Sequence, residues 1–524
     1  MINLSAMKDW LPRIVIIGLM LIVIGVPFAF RPDKPAIASG DDQNVLVIIT
    51  PHNEQIRHEF ARGFNAYRKA NDKPAVRFDW RSSGGTSDLR KQVLSELTKA
   101  IRDNGRDARL SYDLFFGGGD YDHGRLAGSI TVGHRGESIS LSASVSAKVP
   151  EELFNKVFPK PTIGGQPLYE ENKKWVGVAL SSFGIVFNRE YLKMINVDEP
   201  RTWSDLANEK YAKTVALADP GHSGSISQTY NVILQRMGWN EGWSTLRRVF
   251  ANSRYFAARS SQVPVDVSNG EAAAGMCIDF YGRFQSGAIG GDRVGYVDPI
   301  RTDASGKAVA MTGITADPIS VMRGAPHEKL AHEFVTWLLS QEAQVLWQAK
   351  KGSPNGTEKF ELRRLPIRPD VYVEKHRKHW VDSDVDPYGI ATPIRPGTPS
   401  YFRYIAPIAH SVAIDVHEEL VEAWAAIRRT PKDHPNHAEM LELFDAMPQT
   451  ITLTWPDEDL AKNWKAILGD AGHVRHDEAA KALKDFTGSI KSRWKDENQK
   501  LNDRLEWTLF FRENYRKIIE LSRS

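Results

Sequence analysis

Three short polar stretches stand where an apolar run gives way to a helical pattern. They are Pro51-His52-Asn53, Ser82-Ser83-Gly84-Gly85-Thr86-Ser87 and Ser223-Gly224-Ser225. A helix begins with unpaired backbone N–H groups and a partial positive charge, so its first turn attracts anions and electron-rich groups. Serine and threonine hydroxyls add donors, and glycine lets the backbone come close. A single loop of this kind is an ordinary N-cap. Three of them make a binding site if the elements bring them to one cleft. A fourth stretch runs from Asn269 to Arg283. Its Asn269-Gly270 turn signal leads into a small, apolar run through Ile278, and then abruptly into Asp279-Phe280-Tyr281-Gly282. A carboxylate and two aromatics thus follow a buried-strand pattern, the place where open α/β sheets hold ligands.

Two catalytic readings are weaker. Gly221-His222-Ser223-Gly224-Ser225 resembles a nucleophile elbow, which would make the chain a serine hydrolase using Ser223, but Ser225 stands where the G-x-S-x-G pattern needs its last glycine. His327 and His332 lie one residue too far apart for the H-E-x-x-H zinc motif, so both are expected on a solvated surface. No Walker or dinucleotide fingerprint occurs, and no cofactor is expected.

The elements that position these loops alternate. Val45–Thr50 is a β-branched apolar run, hence a buried strand, and Ile56, Phe60, Phe64 and Tyr67 follow at helical spacing. A strand over Val76–Trp80, a helix carrying Leu89, Val93 and Leu97, and a strand over Asp113–Phe116 complete a doubly wound α/β block. Strands at Trp175–Leu180 and Gly184–Phe187 flank Ser181-Ser182. A second block contains a strand over Val215–Ala218, a helix through Tyr230, Ile233 and Met237, the stretch ending at Ile278, and a strand over Arg293–Val297. Gly313–Met322 reads as a returning strand and Lys329–Gln348 as one amphipathic helix. Residues 121–174 are polar and irregular, and no element is assigned to them. Beyond residue 360 a proline-punctuated connector leads to helices over His410–Ile427, Glu439–Asp445, Glu458–Leu468 and Glu478–Leu521, the last broken at Gly488.

The net charge of +3 is too small to suggest a nucleic-acid partner. The single cysteine, Cys277, excludes an internal disulfide and sits in a buried-strand pattern, where an inert thiol is expected. Ile14–Phe30 carries no charge and follows Lys8 and Arg13. Its length lies between a signal-peptide core and a membrane span, and Ala36-Ile37-Ala38 has the small-x-small form of a signal-peptidase site. A cleaved signal and an uncleaved inner-membrane anchor through residues 14–30 are both open, and either exports the rest of the chain.

Residues 44 to about 350 resemble the extracellular solute-binding proteins of ABC importers, in the group that includes ferric iron, thiamine and polyamine binders. The likeness is carried, in order, by Val45–Glu54, Trp175–Asn188, Val215–Gly224, Asn269–Tyr281 and Ala331–Gln344. It implies a two-lobed α/β fold of the periplasmic-binding-protein type II, with two crossing strands and a helical C-terminal extension. The expected organisation is an export segment over 1–43, the first lobe over 44–178, the second over 179–300 and a return to the first over 301–350. Residues 351–429 form a connector with packing helices, and 430–524 an extension without a match. The resemblance also implies capture of a small ligand between the lobes and delivery to the membrane permease of an ABC importer, without catalysis. A membrane-tethered sensor or scaffold on the same fold is the other non-catalytic reading.

Carried over residue by residue, iron-binding members place two adjacent tyrosines at Phe280-Tyr281, and Phe280 cannot bind a metal. His52 falls where some iron binders supply a histidine, and Asp279 would be the substitute oxygen donor. Ser223-Gly224 aligns with a loop that holds an anion in several members. The expected cleft residues are His52, Ser82, Ser83, Gly84, Thr86, Ser182, Ser223, Gly224, Ser225, Asp279 and Tyr281, around an anionic or metal–anion solute.

Overall fold

The computed structural model describes residues 18–21, 44–302, 306 and 308–524, and Val45–Ser524 form one compact unit. Most of the apolar segment 14–30 lies outside the described residues. Among the described ones no helix is long and apolar enough to cross a membrane.

From the amino terminus of this unit, β1 (Val45–Ile49) leads to α1 (Glu54–Ala70), β2 (Arg77–Arg81), α2 (Thr86–Asn104), β3 (Leu114–Phe116) and α3 (Asp120–Ala127). Then come β4 (Val176–Ser181), β5 (Phe183–Asn188), β6 (Val215–Ala218), α4 (Gly224–Met237), α5 (Trp239–Ala251), β7 (Ser253–Ala257), β8 (Ala274–Ile278), α6 (Asp279–Ile289), β9 (Val294–Val297), β10 (Thr315–Met322) and β11 (Leu365–Pro366). The helices α7 (Phe402–Ala409), α8 (His417–Arg429), α9 (His476–Arg493) and α10 (Glu497–Leu521) follow, with further helices between them.

Two sheets result. The first has the order β11-β4-β10-β3-β1-β2, parallel in β1–β3 and antiparallel where β10 and β4 return. The second has the order β7-β6-β8-β5-β9. The chain crosses between them twice, at Ser182 between β4 and β5 and again between β9 and β10. This is the expected α/β fold of two lobes joined by two crossing strands, with a helical C-terminal region. β1 is buried at all five positions, as its apolar run requires. In α1, Ile56, Phe60 and Phe64 face the core, and the Asn53 side chain caps the helix by accepting the Ile56 N–H.

Several expectations need correction. Residues 121–174 are ordered: they hold α3, an antiparallel hairpin over Ser129–Ser142 and a short helix over Glu151–Val157. The helix expected over Lys329–Gln348 divides into Glu328–Leu338 and Gln341–Val345, because Ser340 starts a new helix by accepting the Ala343 N–H. His332 is buried, not solvated, and its Nδ1 accepts the Lys148 N–H at 3.1 Å. Gly488 lies inside α9, and the break falls at Trp494–Asp496, where Asp496 caps α10. Trp494 Nε1 donates to Asp503 across that corner at 3.0 Å.

The extension shares a core with the second lobe. Trp239 Nε1 donates to the Ile451 carbonyl at 2.8 Å and Arg248 pairs with Asp445 at 2.6 Å, and in the adjoining helix α8 Trp424 Nε1 donates to Asn252 at 3.1 Å. Gly238 sits at φ 93°, and an added Cβ would lie 2.2 Å from Cζ2 of Trp464. Gly238→Ala is therefore expected to cost about 2–4 kcal/mol through overpacking and backbone strain. Chemical denaturation checks this: the signals of lobe and extension should shift together, and a separate transition of the extension would contradict the shared core.

Candidate functional site

Five helices, α1, α2, α3, α4 and α6, aim their amino termini at one cavity between the lobes. The cap residues Asn53, Gly85, Gly119, Ser223 and Ile278 all line it. The cavity measures about 250 Å³. Three of these helices come from the first lobe and two from the second, each leaving the carboxyl end of a strand. The close approach depends on glycine: Gly118 has φ 117°, and a Cβ there would meet the Thr86 methyl at 2.3 Å.

One wall is a buried ionic group. Asp317 forms an ion pair with Arg364 at 2.5 Å, pairs with His52 Nε2 at 2.9 Å and accepts the Gly118 N–H at 2.8 Å. All three side chains are almost wholly buried. Burial alone would raise the Asp317 carboxyl, but Arg364 and His52 hold it below its ordinary value. Burial lowers the His52 ring, and Asp317 offsets only part of that, so His52 is neutral at neutral pH. Arg364 also donates to Ser181 at 3.0 Å and stacks over Phe280 at 4.2 Å. Its Nε is buried without a hydrogen-bond partner.

The lining carries Arg57, Arg259 and Arg364 but no aspartate or glutamate. The Arg259 guanidinium has no hydrogen-bond or ion-pair partner among the described residues, and Ser260, beside it, shares a 2.6 Å hydroxyl contact with Ser225. The lobes touch next to the cleft: His222 lies 3.1 Å from Asp88, and Lys91 donates to the Gly221 carbonyl at 3.1 Å.

Of the expected residues, His52, Ser82, Gly84, Thr86, Ser223, Gly224, Ser225 and Tyr281 line the cavity. Three do not. Ser83 is turned outward and donates to Gln92 at 3.1 Å. Ser182 donates to Asp298 at 2.6 Å and belongs to the first crossing. Asp279 is fully buried, and neither carboxylate oxygen has a hydrogen-bond partner. It therefore cannot serve as the oxygen ligand at the cleft surface. Ser223 Oγ caps α4 through the Ile226 N–H and contacts Ser225 Oγ at 3.2 Å, and no histidine reaches it among the described residues, so the geometry a serine nucleophile needs is missing. Arg57, Gln228, Arg259, Ser260 and Arg364 escaped the sequence reading. Arg259-Ser260-Ser261 had a local signal, a polar cluster after a strand. Arg364 had none, because its place depends on a partner distant in sequence.

Residues 152–371 match the bacterial extracellular solute-binding protein family. That segment is similar to solute-binding domains and covers less than half of the chain. Among solved structures, the periplasmic binding protein AfuA from Actinobacillus pleuropneumoniae shares the fold, with a TM-score of 0.50, 16% identity and coverage of 72% of this chain and 97% of that one. So does an ABC-transporter substrate binding protein from Agrobacterium tumefaciens, at a TM-score of 0.50 and 15% identity over 74% of this chain and 97% of that one. The phosphoglycerate transport regulatory protein PgtC of Salmonella typhimurium is 26% identical over 178 residues, 34% of this chain. The match spans only 42% of PgtC. The helical extension lies beyond the matched family segment, and the family's extracellular character agrees with the expected extracytoplasmic location.

Burial, with Asp298 nearby, pushes the Asp279 carboxyl up to about 7 from an ordinary 3.8, against the pull of Arg283. Between those values the folded chain holds a proton that the unfolded chain has released. Wild-type stability therefore falls as pH rises through that window and stays lowered above it. Asp279→Asn is neutral throughout, so its melting temperature should gain on wild type between about pH 5 and about pH 8. A gain of the same size at both ends would show that Asp279 does not ionise there.

Proposed function

We propose that the protein captures a small phosphate-bearing organic anion between its lobes and delivers it to an ABC importer. The observation that carries this reading is the convergence of five helix amino termini and three arginines on a cavity without a carboxylate. Each amino terminus offers unpaired N–H groups and about half a positive charge. Ser82, Thr86, Ser223, Ser225 and Ser260 add hydroxyl donors suited to phosphate oxygens. The same charge opposes a bare metal cation, since Arg57 and Arg259, neither ion-paired among the described residues, would face it with a single tyrosine, while Arg364 is already paired with Asp317. Tyr281 is a poor anionic ligand, because burial pushes its hydroxyl up to about 12.

The named relatives agree in chemistry. PgtC is named for phosphoglycerate transport, and the AfuA structure holds fructose-6-phosphate. Closure of two lobes around the ligand supplies the mechanism. His52 serves from the wall: neutral and held by Asp317, it fixes the loop before α1 without bringing a negative charge to the surface.

PgtC is named a regulatory protein, and this supports a second reading in which the bound state signals and is not delivered. Uptake of labelled ligand by cells lacking the chain, with the importer expressed constitutively, separates the two. Loss of uptake means delivery, and intact uptake means signalling.

Thermal-shift titration tests the ligand class. Fructose-6-phosphate and 3-phosphoglycerate should raise the melting temperature, whereas fructose should not. Arg259→Ala should weaken phosphate-ester binding at least tenfold while leaving the unliganded melting temperature unchanged. Equal responses to fructose and its phosphate would remove the anion from this reading.

A further inference from the structure

A second cavity, about 630 Å³, lies where the extension meets the second lobe. One side is the turn before β6, at Ala212 and Lys213, and the others are α8 and the end of α10. It therefore exists only because α8 and the extension fold against the lobe. Lys213, Arg428, Arg429 and Arg523 line it against a single carboxylate, Glu422. None of the four cations has an ion-pair partner among the described residues, although ion pairs are common elsewhere on this surface. Arg428 donates one N–H to the Glu209 carbonyl at 3.1 Å, while its Nε is buried without a hydrogen-bond partner. His434 Nδ1 accepts the Asn436 N–H at 3.2 Å, so the ring's proton sits on Nε2 and adds a donor to the lining. Val421, Ala425 and Ile519 give the cavity an apolar side.

Four like charges around one concavity repel one another, and a multivalent anion placed among them relieves that repulsion. The volume lies in the range of small-molecule pockets, ~300–1,000 Å³. We infer that this cavity is a second binding site, for a small organic anion carrying two or more phosphate charges. The site is independent of the cleft ligand. Strand β6 links the two places: it begins just after Lys213 and ends at the Asp219–Ser223 loop beside the cleft.

Isothermal titration of the full chain with inorganic pyrophosphate tests the inference, using Arg259→Glu to suppress binding in the cleft. One site should remain in that variant. Adding Arg429→Glu and Arg523→Glu should weaken it at least tenfold. Both side chains are exposed and unpaired, so the fold should tolerate the change. Lys99→Glu with Arg102→Glu makes the same change in net charge on α2 and should leave binding intact. A flat isotherm for Arg259→Glu, or equal weakening by the α2 pair, overturns the site. Phosphatidic acid vesicles provide a further arm: pyrophosphate-sensitive vesicle binding would assign the phosphate to a lipid headgroup, and its absence to a free solute.

Discussion

A carboxylate cannot be taken out of water alone. Asp317 is 1% exposed, and its burial is tolerable only because Arg364, His52 and the Gly118 N–H meet it. Those partners come from the proline-rich connector, the loop after β1 and the loop after β3. A single charge thus draws three distant segments to one point, beside the place where β10 returns to the first lobe. The remaining cleft geometry follows. With these loops drawn together, α1 and α3 aim their first turns at the same space. Arg364 can then present one edge to Asp317 and its face to Phe280.

Much of this was legible in the sequence. The βα rhythm of residues 45–120 and 215–300 gave both blocks, and the strands at Val45–Ile49 and Val215–Ala218 fall where their apolar runs stand. Eight of the eleven expected cleft residues line the cavity because they belong to loops between strand and helix, where the local pattern already carries the geometry. The failures have physical causes too. Asp279 follows the buried strand as expected, but it opens a helix, α6, whose first turn holds it fully buried. Ser182 is polar and central, yet it serves the crossing strand. Arg364 is invisible to pattern because its role arises from an ion pair between positions that only the fold brings together. Trp494–Asp496 outcompeted Gly488 as a helix break because Asp496 and Asp503 satisfy the backbone and the indole there, whereas a lone glycine costs a helix only about 1 kcal/mol.

The two cavities contrast in how they hold positive charge. In the cleft it comes largely from backbone dipoles fixed by five helices, so little rearrangement is needed when an anion arrives. At the junction with the extension it comes from long, exposed side chains, which lose rotamer freedom when they close on a ligand. The first arrangement favours selectivity. The second favours a response graded with salt, because exposed charges are screened within about a Debye length.

The fusion of the helical extension to the second lobe has a mechanical consequence. With Trp239 and Arg248 tying it down, the extension turns with the second lobe as one body. Any swing about the two crossings therefore carries the extension along with the second lobe.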